Sequence, residues 1–315
     1  MEKYIGIDIS KATLDLYDGE KSYKVNNNTQ GFAFIRKLTK HKKDLVLIFE
    51  PTGVYAYALI AYCEKHGIRA IIVGSKEARD YARSIKQRSK TDKIDAKVLY
   101  RYRTQVSAEA ITVPSLNSRV IQITQRRNVY DNYRHTIIQL NNLLEATLKE
   151  DKHLIRSIKK QIAHLEKAAD ALLKEIEKLL TKEEEQKQAL KHLKTIPGIG
   201  HKSALALLLE FMRYPHAKSK EMVALMGLDP VLKDSGQFKG KARISKQGGT
   251  HLRTKLYMPT VVAIRHNDRL RVFYERLLSK GKPKKLALMA AMRKLLRIAF
   301  AVVKNNEPYR ALEVA

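Results

Sequence analysis

Four acidic side chains stand in this sequence where a carboxylate is costly or is paired with another. Asp8 lies inside an apolar strand pattern, and Glu50 directly follows a second apolar run. Asp92 and Asp95 are three residues apart, which places both on one face of a helix. A carboxylate in a core strand is unfavourable unless it is paired or binds a metal ion. Hard oxygen donors of this kind suit Mg²⁺, or Mn²⁺ in its place.

Each acidic residue also has an interpretation without chemistry. Asp92 and Asp95 favour the N-terminus of a helix, and Glu50 could cap the turn that follows it. Asp8 is the hardest to explain in this way. Together with the order of the elements, the four side chains predict a site for two Mg²⁺ ions about 4 Å apart, which would hold the attacking and leaving oxygens of a phosphodiester.

The elements that must position these carboxylates alternate strand and helix patterns over residues 1–112. Three strands form a meander, with an Asp-Gly pair at residues 18–19 that is typical of a hairpin. Helix, strand, helix, strand and helix patterns follow. A meander followed by right-handed crossovers predicts a mixed sheet with helices on both faces. Glu50 would lie at the carboxyl end of a strand, where sites in open α/β sheets gather.

A break near Pro114 separates this domain from a helical region. Residues 115–186 contain neither Pro nor Gly, and apolar residues spaced alternately three and four apart form a heptad seam. We predict a coiled-coil segment over 113–188, paired either with an earlier helix of the chain or with a second copy, and a mainly helical domain over 189–315. The seam comprises Ile155, Ile158, Ile162, Leu165, Ala169, Leu172, Ile176 and Leu179.

The composition favours a nucleic-acid partner. Lys and Arg total 61 against 32 Asp and Glu, a formal net charge of +29, which repels itself unless a polyanion neutralises it. The single cysteine, Cys63, excludes a disulfide framework and a thiolate-rich zinc site. No apolar run approaches the roughly 18 residues that span a bilayer, and no signal-peptide pattern opens the chain. We therefore expect a cytoplasmic, nucleoid-associated protein without a membrane partner.

Two segments of the third domain predict phosphate contacts. Residues 193–204 form a helix-hairpin-helix-like motif whose glycines would admit a phosphate to backbone N–H groups. Residues 231–255 hold seven Lys or Arg against one acid, Asp234, as in a loop that wraps a phosphate backbone. A helical packing unit and a solvated loop are the alternatives. The predicted nucleic-acid contacts are Lys11, Lys90, Gly198, Gly200, Lys202, Lys239, Lys241, Arg243, Lys246 and Arg253.

Three short blocks, GIDISK at 6–11, EPTGVY at 50–55 and KTDKIDA at 90–96, resemble those of a known family. They look like the blocks of the DEDD-type insertion-sequence transposases of the "one-ten" family. The resemblance implies an α/β plus α chain: an RNase H-like, RuvC-type mixed-sheet domain, a long helical segment and a C-terminal transposase domain. It also implies that the catalytic metal ligands are Asp8, Glu50, Asp92 and Asp95.

The C-terminal part is similar to this family's second signature. Gly-Leu-Asp-Pro at 227–230 precedes a Ser-Gly pair at 235–236 and Ile-Ser-Lys at 244–246. The resemblance implies a serine nucleophile that joins covalently to a DNA phosphate; Ser235 is our choice and Ser245 the alternative. No Ser-His-Asp arrangement is visible near either serine, so activation would have to come from the metal-bound carboxylates.

The resemblance further implies a DNA recombinase with a nucleic-acid guide. Its partners would be the donor element ends, the target duplex and a structured noncoding guide RNA, called a bridge RNA, with the protein acting as a homo-dimer or tetramer. Two other functions stay open. A metal-dependent Holliday-junction-type endonuclease would use water instead of serine, and would leave no protein–DNA adduct. A non-catalytic nucleic-acid-binding protein would not need the complete set of carboxylates.

Overall fold

The computed structural model describes residues 2–38, 44–87, 91–231, 243–248 and 250–311. The chain divides into two compact units, Met1–Asn117 and Ser118–Ala315. Four residues of predicted functional importance lie outside the described residues: Lys90, Ser235, Lys239 and Lys241.

In the described part of the first unit, five strands form a mixed sheet with the order β3-β2-β1-β4-β5. The first three strands are an antiparallel meander, while β1 and β4, and β4 and β5, are parallel. The predicted meander followed by crossovers is confirmed. The strands are β1 (Lys3–Ile9), β2 (Thr13–Tyr17), β3 (Ser22–Asn26), β4 (Leu45–Phe49) and β5 (Arg69–Ile72).

Helices cover both faces of this sheet. The odd-numbered residues of β1 and β4, such as Ile7 and Leu47, pack in one apolar cluster with residues of α1 and α2. Val46 and Ile48 face the opposite side and pack with residues of α3 and α4. Because every residue of β4 is buried, its continuous apolar run is what a strand covered on both faces requires. The helices are α1 (Thr29–Lys37), α2 (Tyr57–His66), α3 (Ser75–Ser84) and α4 (Asp92–Tyr102).

The second unit begins with a hairpin of two long helices, α5 (Ser118–Ala146) and α6 (Lys152–Leu180), which pack against each other. Ile158 and Ile162 of the predicted heptad seam are buried with Ile137 of α5. Two later seam positions, Ala169 and Ile176, are buried in a cluster that includes Ile123 of α5. The apolar seam of α6 therefore packs against the preceding helix of the same chain.

The rest of the second unit is mainly helical around one apolar core. That core takes side chains from α7, α8, α9, α10 and α12. A short antiparallel pair, β6 and β7, lies between α9 and α10. These elements are α7 (Glu184–Lys194), α8 (His201–Arg213), α9 (Ser219–Leu225), β6 (Pro230–Val231), β7 (Arg243–Ile244), α10 (Thr250–His266), α11 (Asp268–Ser279) and α12 (Lys284–Asn305).

Within the described ranges, no helix combines the length and the apolar character that a bilayer span requires.

Candidate active site

Asp8 and Glu50 lie side by side on the sheet. Strands β1 and β4 are parallel, and the last matched pair in their register is Ile7 with Phe49. Asp8 and Glu50 are the next residue on each strand, so they reach the same level of the sheet. Because side chains alternate along a strand, both carboxylates point to the face that carries Val46 and Ile48. The predicted juxtaposition at the carboxyl ends of the strands is therefore present.

Helix α4 brings the other two carboxylates to this same face. It crosses β1 at Gly6, where a Cβ atom would overlap the carbonyl oxygen of Ala96 and lie 2.5 Å from the backbone nitrogen of Tyr100. Only glycine permits so close an approach. Asp92 and Asp95 occupy the first turn of α4, where the helix dipole stabilises negative charge.

The electrostatics of Asp8 record the gathering of acidic groups. Its pKa is raised from 3.8 to about 6, mainly because burial disfavours the charged carboxylate. The negative charges of Asp95, Asp92, Asp15 and Glu50 raise it further, in that order. The other three predicted DEDD residues are thus all close enough to Asp8 to raise its pKa.

A fifth carboxylate, Asp15, belongs to this cluster and escaped the sequence analysis. It lies directly opposite Asp8 in the β1–β2 register and only 3% of its surface is exposed. Lys24 on β3 reaches its Oδ2 atom at 3.4 Å, so a neighbouring strand compensates this charge. The signal was available, since a tight turn between β1 and β2 places residues 8 and 15 opposite each other.

The side-chain amide of Asn27 connects the segment that follows Asp8 with the segment that follows Glu50. Asn27 donates from Nδ2 to the carbonyl oxygens of Ser10, at 2.9 Å, and of Tyr55, at 3.0 Å. Ser10 follows Asp8 by two residues, and Tyr55 follows Glu50 by five. Lys11, a predicted nucleic-acid contact, is exposed in the turn after β1.

The donor set fits a divalent metal ion in its chemistry. Burial and mutual repulsion of the carboxylates favour a bound cation, which would remove both penalties. Among the residues that the structure describes, no three or more Asp, Glu, His or Cys side chains are grouped so that they could hold a metal ion together. An open arrangement is compatible with Mg²⁺, which usually retains several waters and is held by one or two carboxylates together with substrate phosphates.

The alternative nucleophile, Ser245, lies at the base of the β6–β7 hairpin. Its hydroxyl donates a short hydrogen bond to the Asp229 carboxylate, and its backbone N–H donates to the Asp229 carbonyl oxygen at 2.9 Å. The hydroxyl oxygen also accepts from the N–H of Gln247 at 3.3 Å. Asp229 is therefore a partner that sequence reasoning missed. The preferred Ser235 lies outside the described residues.

Three of the predicted phosphate contacts lie at or near the base of the β6–β7 hairpin, and they differ in how the protein engages their side chains. The guanidinium of Arg253 donates to the carbonyl oxygens of Met226 and Gly248, at 2.9 and 3.0 Å, and so stabilises the hairpin base. Arg243 and Lys246 are exposed on the same hairpin. Their role as phosphate contacts stays a prediction.

The two glycines of the helix-hairpin-helix-like segment differ in their surroundings. Gly198 has a φ of +99°, and a Cβ there would lie 2.6 Å from both the Ala263 Cβ and the Pro259 carbonyl oxygen of α10. This glycine allows close helix packing. Gly200 has nothing within 4 Å of its Cβ position and precedes α8, next to the exposed Lys202. Only the second glycine lies where a phosphate could approach.

A buried ionic cluster connects α5, α8 and α10, and it was not predicted. Glu210 is 2% exposed and accepts hydrogen bonds from Arg127 at 2.7 Å and from Arg213 at 3.1 Å, with His251 Nε2 at 3.2 Å. Burial alone would raise the pKa of Glu210, but His251, Arg213 and Arg127 outweigh it and lower that pKa. The partners are up to 83 residues apart, so no local pattern could reveal them.

Comparison with known proteins matches both units to one family. Residues 190–275 match the family described as "Transposase IS116/IS110/IS902 family". Residues 5–153 match the DEDD model of the same IS110 group, described as "Transposase". The letters of the DEDD name match the types of the four predicted carboxylates, of which Asp8 and Glu50 lie on the sheet and Asp92 and Asp95 on α4. Transposases with this set typically use a divalent metal ion.

Two relatives match over nearly the whole chain, and a third matches over part of it. The "Pilin gene-inverting protein" of Moraxella bovis is 31% identical over 97% of both chains, and its counterpart in Moraxella lacunata matches to the same extent. The "Insertion element IS900 uncharacterized 42 kDa protein" of Mycobacterium paratuberculosis is 27% identical over 30% of this chain and 23% of its own length. The chain belongs to the IS116/IS110/IS902 family of DEDD transposases, enzymes that rearrange DNA.

Proposed function

We propose that the protein cleaves and rejoins DNA strands, through Mg²⁺ ions held by Asp8, Glu50, Asp92 and Asp95 and through a covalent serine–DNA intermediate. The observation that carries the metal part is the gathering of Asp8 and Glu50 with the first turn of α4 on one face of the sheet. When bound, Mg²⁺ would neutralise charge on the scissile phosphate and on the oxygens that enter and leave it.

The chain's own groups would carry out a phosphoryl transfer. The serine Oγ forms a bond to phosphorus while the bond from phosphorus to one deoxyribose oxygen breaks. The serine proton passes to a nearby base, and the departing oxygen is protonated. Because the serine–phosphate ester replaces the phosphodiester that was broken, a second deoxyribose hydroxyl can reverse the step and seal a new junction without an added energy source.

The hydrogen bonds of Ser245 support Ser235 as the nucleophile. The Ser245 hydroxyl is bonded to Asp229 and to the N–H of Gln247, and these contacts stabilise the base of the hairpin. Ser235 precedes Ser245 by ten residues in the sequence, in the glycine-containing segment that connects β6 to β7. In the alternative, the Asp229 carboxylate would accept the proton of Ser245, which gives that serine a defined base.

Trapping the covalent intermediate tests the nucleophile. Nicked substrates that lose the departing strand should accumulate an SDS-stable protein–DNA adduct with the wild type and with the control Ser157→Ala on α6, and none with Ser235→Ala. Loss of the adduct only with Ser245→Ala would overturn the choice of serine. Strand cleavage without an adduct in any variant would favour the junction nuclease.

Metal and carboxylate dependence are measured on the same substrates. Chelation with EDTA and the substitution Asp8→Asn should each abolish cleavage and adduct formation. Activity that survives EDTA would refute the metal-dependent mechanism.

We further propose that a structured guide RNA directs the reaction and that the protein acts as a dimer or tetramer. The net charge of +29 supports partners richer in phosphate than one duplex. Since the α6 seam packs against α5 of its own chain, the contacts between copies would use other surfaces. Sequencing the RNA that co-purifies with the protein should yield one discrete species; random fragments would contradict the guide.

The names of the Moraxella relatives suggest the form of the rearrangement. Both are named as proteins that invert a pilin gene. We propose the same class of reaction here, with excision and insertion of the protein's own element as its outcome. A plasmid with paired element ends would report inversion and excision separately.

A further inference from the structure

A basic cleft in the second unit is lined by four cationic side chains that have no role in the function described so far. Its volume is about 800 Å³, and it lies between the base of the β6–β7 hairpin and helices α11 and α12. Six cationic side chains line it, and none of its described lining residues is acidic. The six are Arg243, Lys246, Lys285, Arg293, Lys294 and Arg297.

Two of these cations are partly buried and have few polar partners. Lys294 Nζ donates to the carbonyl oxygen of Arg269 at 3.5 Å. The Arg293 Nε atom is buried and has no hydrogen-bond partner among the described residues. Lys294 places its ammonium group 4.5 Å from the centre of the Phe273 ring. Burial and the neighbouring charges of Arg269 and Arg276 lower the pKa of Lys294. Partly buried positive charge with few acidic neighbours is stabilised by an anion supplied from outside.

The cleft also has an apolar wall. Leu286, Met289 and Ile244 line it together with the cations, and Leu286 is 38% exposed. Its volume is within the range of roughly 300–1,000 Å³ that holds a small-molecule-sized ligand. Such a space suits one or two nucleotides, and it is too small for a duplex. Cations with an apolar surface are the combination that binds single strands, since phosphates and bases are contacted together.

We propose that this cleft binds an unpaired DNA strand, with the phosphates on its cationic side chains and the bases against its apolar wall. The choice of DNA rests on the proposed function, because Arg243 and Lys246 of the cleft flank Ser245, the alternative nucleophile. A strand held here would lie next to the described base of the β6–β7 hairpin. The cleft would thus select DNA that has been opened at the site of exchange.

Charge reversal on the cleft tests this proposal. Lys285→Glu and Arg297→Glu alter exposed side chains of α12, and Lys167→Glu on α6 is a matched control with the same change in net charge. Binding of fluorescent dT12, rU12 and a 12-base-pair duplex is measured by anisotropy in EDTA at several salt concentrations. Because EDTA removes the chemistry, failure of the metal or serine mechanism leaves this assay unaffected.

We expect each cleft variant to weaken dT12 binding on the order of tenfold and to reduce its salt slope by about 0.7, the value of one lost phosphate contact on a single strand. Lys167→Glu should change the affinity less than twofold. An equal loss in the control, or an equal loss for the duplex, would overturn the cleft as a single-strand site. Tighter binding of rU12 than of dT12 would overturn the choice of DNA.

The apolar wall has a separate test. The wild type should bind dT12 more tightly than an abasic 12-mer with the same phosphates, and Leu286→Ala should reduce that preference about threefold or more, since the variant lacks the side chain against which a base would pack. Equal affinity for the two oligonucleotides would refute base contact in the cleft.

Discussion

Replacing Asp8 by Asn should stabilise the metal-free protein while it abolishes strand cleavage. The substitution keeps the shape of the side chain and removes a charge that burial and four other carboxylates disfavour. Raising the pKa from 3.8 to about 6 corresponds to about 3 kcal/mol. Because Asp8 is half-exposed, solvent screening reduces this to about 1–2 kcal/mol in the free energy of unfolding.

The stabilisation has a defined dependence on pH. The folded state binds the Asp8 proton more tightly than the unfolded state, so the favourable contribution of the protonated group is complete below pH 3.8. It is lost as the pH rises through about 6. The free energy of unfolding of Asp8→Asn should therefore equal that of the wild type below about pH 3.8 and exceed it above about pH 7.

Urea unfolding at several pH values, with and without Mg²⁺, measures both effects. In EDTA the variant should be the more stable protein at neutral pH, while Asp80→Asn on α3 should not differ from the wild type. Saturating Mg²⁺ should stabilise the wild type by about 2.7 kcal/mol at 100 times its dissociation constant, and the variant by less. A variant that is less stable than the wild type in EDTA at neutral pH would refute the reasoning.

Three further substitutions, one of them with a matched control, have expected outcomes in urea unfolding. Gly6→Ala should cost about 3 kcal/mol because its Cβ overlaps α4, whereas Gly200→Ala, with open space, should cost less than about 1 kcal/mol; equal costs would refute the close approach of α4. Glu210→Gln should cost about 3–5 kcal/mol by leaving buried cations unpaired. Since the Glu210 pKa is lowered, its contribution is present above pH 4.5 and is lost as the pH falls through the lowered value; a pH-independent cost would contradict this. Ile158→Ala should cost about 2–4 kcal/mol, and a negligible loss would show that the α5–α6 seam is not packed as described.

The elements that depend on local patterns were predictable from the sequence. Strand β4 is predicted by its run of five apolar residues, and Thr91 before two acids predicts the start of α4. The four carboxylates were found because each lies at the end or inside of such an element. The α5–α6 seam follows from the spacing of its apolar residues, although its partner was left open between the same chain and a second copy.

The contacts between distant parts of the chain were decided only by the tertiary structure. Asp229 meets Ser245 across the hairpin, and Glu210 contacts Arg127 of α5 and His251 of α10. Composition could predict the positive charge of the protein, but not that α12 concentrates it in one cleft. Periodicity and capping reflect interactions between residues close in sequence, whereas burial, charge compensation and cavities depend on which distant residues the fold brings together.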